Sequence, residues 1–303
     1  MTSPRIFCST ASEARNEPLL GTASQVTDWL LLEQPGPWGY DATLDSGLAL
    51  EISGPLVTRV RELGIRLVFI RRRDTRRPRR RHVYFVHTGA TASFVEHGRV
   101  EDPAELLDAD LSLLPRGQHV GLGTVETDPV YLVCTHGRHD VCCSIRGWPL
   151  AKLLCSRMPG RAWECSHIGG DRFAGNVVCL PRGVYFGRLG PNNVLGVVED
   201  YERGIIDLDH YRGRSCFPTA IQAAEHFVRG REALAGIDDV VLETWEGLDP
   251  STAAVWFALP EGRRAEVVVR VKRDKDPVVL TCQATRPSRP RRFELVSISR
   301  LPT

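Results

Sequence analysis

Short apolar runs and helical patterns alternate along the first third of the chain. Pro55 is tolerated in a first helical turn, and Val57, Val60 and Leu63 would share one helical face. The runs between the helical patterns have strand character. The predicted elements are a strand at Trp29–Leu32, a helix at Pro55–Leu63, strands at Ile65–Ile70 and His82–His87, and a short helix at Ala104–Leu107.

The middle third repeats this pattern more clearly. Its order, β-α-β-β-β-α, is typical of a thioredoxin-like unit, in which a βαβ half precedes a ββα half. The pattern therefore predicts two thioredoxin-like units in tandem. The predicted elements are strands at Val130–Cys134, Trp163–Ser166, Gly175–Leu180 and Val184–Arg188, a helix at Pro149–Arg157, and a helix from an Asn193 cap to about Tyr201.

The last third has a different organisation. One helix is followed by alternating strand patterns, which indicates a small α+β module with an antiparallel sheet. The fold class is thus α/β, or α+β overall, with predicted domains at 1–120, 121–213 and 214–303. The predicted elements are a helix at about Thr219–Leu234 and strands at Val240–Trp245, Ala254–Ala258, Glu266–Val271, Val278–Gln283 and Phe293–Ile298.

Composition narrows the class of protein. The 303 residues are 42% apolar and 25% charged with a net charge of +2, as in ordinary globular proteins. No apolar run approaches the roughly 18 residues of a membrane span, and MTSPRIFCSTASEARNEP has no secretory pattern. We therefore expect a cytoplasmic protein. In that compartment the nine cysteines would not form a disulfide framework. Five scattered cysteines are predicted to be buried apolar side chains: Cys8, Cys155, Cys179, Cys216 and Cys282.

One run of charge stands out. The segment Arg71–His82 contains eight arginines between two predicted strands, and we interpret it as a solvated hairpin loop. Alternatively, a basic patch at Arg71–Arg81 would speed docking of an acidic redox partner. Nucleic acid is not expected, because no aromatic residues interleave the arginines, and neither is a membrane partner.

The strongest chemical signal lies between residues 134 and 172. Thiols and imidazoles fall in the loops after the first and second strands of the second unit, where zinc or an iron–sulfur cluster could bind. Gly169 and Gly170 would let the backbone turn close to the metal. Arg172 would donate to a ligand or a bridging sulfide, or pair with a redox partner. The other candidates are Cys134, Cys142, Cys143, Cys165, His167 and Asp171, with His136 and His139 expected to be solvated or to support the ligands.

These residues resemble the sucrase/ferredoxin-like family, whose pattern is C-x8-C followed by H-x-G-G-H-R. Here Cys134-x8-Cys143 precedes His167-Ile-Gly-Gly-Asp171-Arg172. Family-like stretches include CSTASEARNEPLLGTA, LLLEQPGPWG, WECSHIGGDRFAGN, LPRGVYFGR and YRGRSC, so the resemblance runs from near residue 8 to about 225. It implies a [2Fe–2S] cluster with Cys134, Cys143 and His167 as ligands.

The sequence departs from that pattern at one position. Asp171 stands where the family has its second histidine. Asp171 could itself bind iron, Cys165 could replace the histidine, or the site could be incomplete, use Cys142 or bind another metal. A carboxylate is a harder ligand than imidazole and would lower the reduction potential by favouring ferric iron.

Three functions compete. The leading hypothesis is a [2Fe–2S] electron carrier that catalyses nothing alone, with the N-terminal unit as a scaffold or a docking surface. A thiol redox enzyme or sensor would use Cys142 or Cys143 near a helix start, although no C-x-x-C motif is present. The third hypothesis is a structural zinc module for protein interaction. Sucrose cleavage, which the family name suggests, is not expected, because no carboxylate pair with a sugar-site context is recognisable.

Overall fold

The computed structural model describes residues 7–72 and 78–301. The helices are α1 Cys8–Ala14, α2 Ala42–Asp45, α3 Leu50–Glu62, α4 Glu105–Asp108, α5 Val141–Arg157, α6 Val194–Glu202 and α7 Thr219–Glu232. The strands of the first half are β1 Asp28–Glu33, β2 Arg66–Arg71, β3 Arg81–Thr88, β4 Ser93–Val100 and β5 Gly123–Glu126. Those that follow are β6 Val130–Cys134, β7 Ala162–Cys165, β8 Val177–Leu180, β9 Val184–Phe186, β10 Tyr211–Arg214, β11 Val241–Asp249, β12 Thr252–Ala258, β13 Arg264–Arg273 and β14 Arg291–Leu301.

Ten strands form one mixed sheet that contains both predicted units. Its order is β10-β9-β8-β6-β7-β2-β1-β3-β4-β5. In each half the first two strands are parallel, and the third pairs antiparallel with the first. The halves join where β2 and β7 pair antiparallel, with Ile70 opposite Cys165. The mixed α+β fold with tandem thioredoxin-like units is therefore confirmed.

The core is arranged so that both halves share one apolar cluster. Alternate residues of β1 point to opposite faces of the sheet. Trp29 and Leu31 pack in a cluster with Leu132 of β6 and Trp163 of β7. The intervening residues of β1 pack instead against the α3 face that carries Leu56. The shared cluster also contains three cysteines of the candidate site: Cys134, Cys143 and Cys165.

The predicted hairpin at Arg71–His82 is wrong. β2 and β3 both pair with β1 and lie on its opposite sides, so they are not neighbours in the sheet. The reason is topological: in this fold the third strand pairs with the first. Residues 73–77 of this predicted loop lie outside the described part of the chain.

Helix α5 begins eight residues earlier than predicted. The Asp140 carboxylate accepts the amide proton of Cys142 at 2.8 Å and caps the helix. Pro149 therefore lies inside the helix rather than in its first turn. As a result, Cys142 and Cys143 belong to the first turn of α5, whereas the sequence placed them in the preceding loop.

The C-terminal module has the predicted kind of fold. Its four-stranded antiparallel sheet has the order β11-β12-β13-β14, and α7 contacts β13. The predicted strand at Val278–Gln283 is wrong, since this segment has a single bridge, from Val278 to Ser288, and otherwise turns. Strands β4, β5 and β10 were not predicted.

The contact between α5 and β6 gives a first prediction. A Cβ built on Gly147 would lie 2.0 Å from the backbone oxygen of Cys134. We expect Gly147→Ala to destabilise the protein by about 1–3 kcal/mol through overpacking. Gly196→Ala in α6 is the matched control, because its new Cβ meets nothing within 4 Å, and it should be neutral or stabilise by about 0.5–1 kcal/mol. Urea unfolding measures both; equal effects would contradict the prediction.

A second prediction concerns acid sensitivity. Burial, aided by the charges of His97 and Arg99, lowers the pKa of His82 from 6.5 to about 4. Between these values the unfolded chain binds a proton that the folded chain does not, so the free energy of unfolding should fall as the pH falls. His82→Gln should flatten this fall in urea titrations from pH 7 to pH 4. A slope in His82→Gln equal to that of the wild type would refute this role of His82.

Candidate metal centre

Two cysteines meet where β6 ends and α5 begins. Cys134 is the last residue of β6, and Cys143 lies in the first turn of α5. Gly147 lets α5 lie close to the Cys134 carbonyl, because a Cβ at this position would be only 2.0 Å from that oxygen. Both thiols are 1% exposed. The predicted pair of soft donors is thus brought together in the shared core cluster.

The loop after β7 brings an imidazole and a carboxylate to the same place. The donor atoms of Cys134, Cys143 and His167 all lie within 4.8 Å of one another. His167 Nδ1 is 3.0 Å from Asp171 Oδ1 and 4.0 Å from Cys143 Sγ. Asp171 Oδ1 also accepts from the Cys143 thiol at 3.3 Å. The four residues predicted as metal ligands therefore lie side by side.

The surroundings shift the pKa values of the two thiols in opposite directions. Hydrogen bonds from Cys143 and Cys165, with help from His167, hold the pKa of Cys134 well below its usual range despite burial. The bond to Cys134, together with burial, raises the pKa of Cys143. Burial also raises the pKa of Asp171. Of the two thiols, Cys134 is thus the one that ionises more readily, and the thiolate is the form of cysteine that binds metals.

A second imidazole lies closer than the sequence suggested. The ring of His139 stacks on that of His167 with 3.8 Å between centroids, and Tyr40 stacks on His139. His139, His167 and Asp171 form a second triplet of donors within 4.8 Å. The sequence feature that points to His139 is its position in the loop between Cys134 and Cys143. A cavity of about 280 Å³ opens beside these rings, lined by residues that include Arg61, Arg66, His136, His139 and His167.

The two glycines adopt a conformation that other residues avoid. Gly169 and Gly170 have φ angles of 95° and 82°. A Cβ on Gly169 would lie 2.2 Å from Ser24 Oγ, and one on Gly170 would lie 2.3 Å from the Arg212 guanidinium. The two glycines thus let the turn lie close to Ser24 and Arg212. The predicted role of the glycines, a close approach of the backbone to a metal, stays a prediction.

Arg212, which the sequence did not single out, supports the turn. It donates to the Gly169 carbonyl at 3.2 Å and to Asn176 Oδ1 at 2.8 Å. Arg172, in contrast, donates to Glu17 at 2.8 Å, and its charge lies over the Phe173 ring. Arg172 is thus engaged with the N-terminal segment.

The two alternative ligands are placed differently. Cys165 is fully buried at the end of β7, where it faces Cys134 across the parallel strand pair. The thiol of Cys142 lies 3.6 Å from that of Cys8, and this hydrogen bond lowers the pKa of Cys142 to about 6. Cys142 therefore belongs to a different group of side chains.

Fold and site define a class: a thioredoxin-like protein with cysteine, histidine and aspartate side chains that could hold a metal ion. The family model for sucrase/ferredoxin-like proteins matches residues 19–213. The chain belongs to the sucrase/ferredoxin-like family.

One curated relative is "Altered inheritance of mitochondria protein 32" of the yeast Meyerozyma guilliermondii. It is 37% identical to this chain over 98 residues, which cover 29% of this chain and 35% of the relative. The chain thus matches about a third of the length of this relative. No solved structure gives a significant match. In the described part of the chain, no helix combines the length and apolar character that a membrane crossing needs.

Proposed function

We propose that this protein is an electron carrier with a [2Fe–2S] cluster held by Cys134, Cys143, His167 and Asp171. The observation that carries the proposal is the convergence of the first three donor atoms within 4.8 Å, from two loops at one end of the sheet. Their membership in a sucrase/ferredoxin-like chain supports it. Bound there, the cluster would supply one-electron chemistry.

The residues present fit such a group in donor type. Two thiols from the β6–α5 turn could hold one iron, and His167 with Asp171 could hold the other. The lowered pKa of Cys134 favours the thiolate, which is the form that a cluster ligand requires. The imidazole of His167 reaches the cavity next to Tyr40 and His139. A proton could therefore reach this ring from solvent when the electron arrives.

Contacts support Asp171 as the fourth ligand. Its carboxylate touches both Cys143 and His167, and it is 4% exposed. Cys142 is engaged with Cys8 instead, whereas Cys165 remains close to Cys134. The alternative that geometry adds is His139, which shares a donor triplet with Asp171. Of these, Asp171 is in direct contact with two of the proposed ligands.

One observation favours zinc as the second candidate. Donors of a single tetrahedral zinc ion lie about 3.3–3.8 Å apart for bond lengths of 2.0–2.3 Å. The spacing within Cys134, Cys143 and His167, at most 4.8 Å, is close to this range. Ligands bound to different irons of one cluster would be farther apart. A structural zinc site is thus the specific rival.

A thiol redox role receives less support. A reactive cysteine is accessible and has a lowered pKa. Burial and the bond to Cys134 instead raise the pKa of Cys143. Cys142 has a lowered pKa, but it is only 1% exposed.

The proposed partner is an acidic redox protein that docks near Arg71–Arg81, in the cytoplasm. Arg71 itself pairs with Glu164 and stacks on Trp38, and Arg80 pairs with Glu101. Arg81 donates to Gln34. Because these three arginines already have partners within the protein, attraction of an acidic protein would depend on the combined electrostatic field of the arginines in the segment.

The third prediction tests the cofactor. Protein purified without chelator should contain two irons and two acid-labile sulfides per chain. It should absorb in the visible region, and after reduction it should give an electron spin resonance signal. Cys134→Ser and Cys143→Ser should abolish this signal, because serine does not replace a soft thiolate. Cys216→Ser is the control, because Cys216 is partly buried against the apolar core between α7 and the C-terminal sheet. A colourless protein with one zinc and no sulfide would overturn the electron-carrier proposal.

The fourth prediction concerns the fourth ligand. Asp171→His should raise the reduction potential, because neutral imidazole stabilises ferric iron less than carboxylate does. Pulsed spin resonance should then count one more coordinated nitrogen than in the wild type. His139→Gln is the matched control and should leave the nitrogen count unchanged. Loss of a nitrogen in His139→Gln would instead make His139 a ligand.

A further inference from the structure

A second group of metal-type donors lies on the other side of the first turn of α5. Its members are a carboxylate and three thiols whose donor atoms all lie within 4.8 Å of one another. The Sγ atoms of Cys8 and Cys142 are 3.6 Å apart, and those of Cys142 and Cys282 are 3.4 Å apart. Cys8 Sγ is 3.7 Å from Asp140 Oδ2.

These side chains come from three distant parts of the sequence. Cys8 begins α1, Asp140 and Cys142 begin α5, and Cys282 lies in a turn between β13 and β14. No local sequence pattern groups them, because Cys8 and Cys282 are 274 positions apart. The sequence predicts both to be buried apolar side chains.

The backbone holds the carboxylate in place. Asp140 Oδ1 accepts from the Cys142 amide at 2.8 Å, and Oδ2 accepts from the Cys282 amide at 2.6 Å. A carboxylate has more lone pairs than these two bonds use, so it retains capacity for a metal. Asp140 is fully buried, and Cys8 and Cys142 are 1–2% exposed. Such fixed, supported donors are typical of preformed metal sites.

The distances between the donor atoms match those between the ligands of one tetrahedral metal ion. Zinc–sulfur bonds of about 2.3 Å place two thiolates about 3.8 Å apart in a tetrahedron. The sulfur–sulfur distances of 3.4 and 3.6 Å are close to this value. Three thiols and a carboxylate complete a four-ligand shell, which leaves no open position for a substrate.

We propose that Cys8, Asp140, Cys142 and Cys282 form a structural zinc site, separate from the centre at Cys134 and Cys143. It would tie the N-terminal helix and the C-terminal module to the first turn of α5. Because Cys142 and Cys143 are consecutive on that helix, they point about 100° apart and serve different sites. The zinc would therefore hold the helix turn that carries Cys143.

The test uses the full-length Cys134→Ser/Cys143→Ser variant, which removes the first centre. After chelation and reduction, this variant should bind one equivalent of Zn²⁺. Co²⁺ as a probe should give the visible bands of a tetrahedral site and a charge-transfer band for three thiolates. Adding Cys282→Ser, at the most exposed ligand, should weaken zinc binding at least tenfold and reduce that band to the intensity for two thiolates.

A matched control and a second measurement keep the result interpretable. Cys216→Ser in the same background should bind zinc like the parent. Circular dichroism should show that the Cys282→Ser variant remains folded; if it unfolds, Asp140→Asn replaces it and should likewise weaken zinc binding. Zinc should also raise the melting temperature of the parent but not of the ligand variants.

Three outcomes would overturn the proposal. The parent variant could bind no zinc at micromolar concentrations, or the Cys282→Ser variant could bind it as tightly as the parent. Mass spectrometry of protein isolated without reductant could instead find a Cys142–Cys282 disulfide in the absence of zinc. Since the first centre is removed throughout, these results do not depend on whether the wild type carries iron and sulfide.

Discussion

The contact between the end of β6 and the start of α5 is the constraint on which the rest of the site depends. Gly147 lets the helix lie against the Cys134 carbonyl, and Asp140 caps the first turn. Once that turn is fixed, Cys143 faces Cys134 and Cys142 faces Cys8. One strand-to-helix connection therefore sets the direction of thiols in two separate groups. A helix start displaced by one residue would rotate both thiols by about 100°.

The first thioredoxin-like unit supports the second without repeating its chemistry. Where the second unit has its cysteines, the first has Gln34–Gly39, and this loop is filled by Trp38. The Trp38 indole donates to the Gln34 carbonyl and meets the His136 ring edge-on. The first unit therefore forms one side of the site, and its Tyr40 ring stacks on the His139 ring. The first unit, whose Gln34–Gly39 loop contains no cysteine or histidine, thus contributes packing and shapes access to the site.

Most of the architecture was readable from the pattern of apolar residues. Buried strands such as Val130–Cys134 are continuous apolar runs, and helices such as α7 show helical spacing. Pairing was harder to predict, since it depends on residues far apart in the chain. The segment Arg71–His82 looked like a hairpin because its two strands are adjacent in sequence, whereas β1 lies between them in the sheet. The weak edge strands β5 and β10 carried too little pattern to be seen.

For the candidate site, the sequence by itself determined the donor types and the two loops that carry them, because spacing on a recognisable fold places Cys134, Cys143 and His167 together. Only the tertiary structure decided which neighbours join them. It set His139 over His167, turned Arg172 towards Glu17 and put Arg212 behind the Gly169–Gly170 turn. It also joined Cys8 and Cys282 to Cys142. Such contacts join distant segments through packing, and no local pattern of residues encodes them.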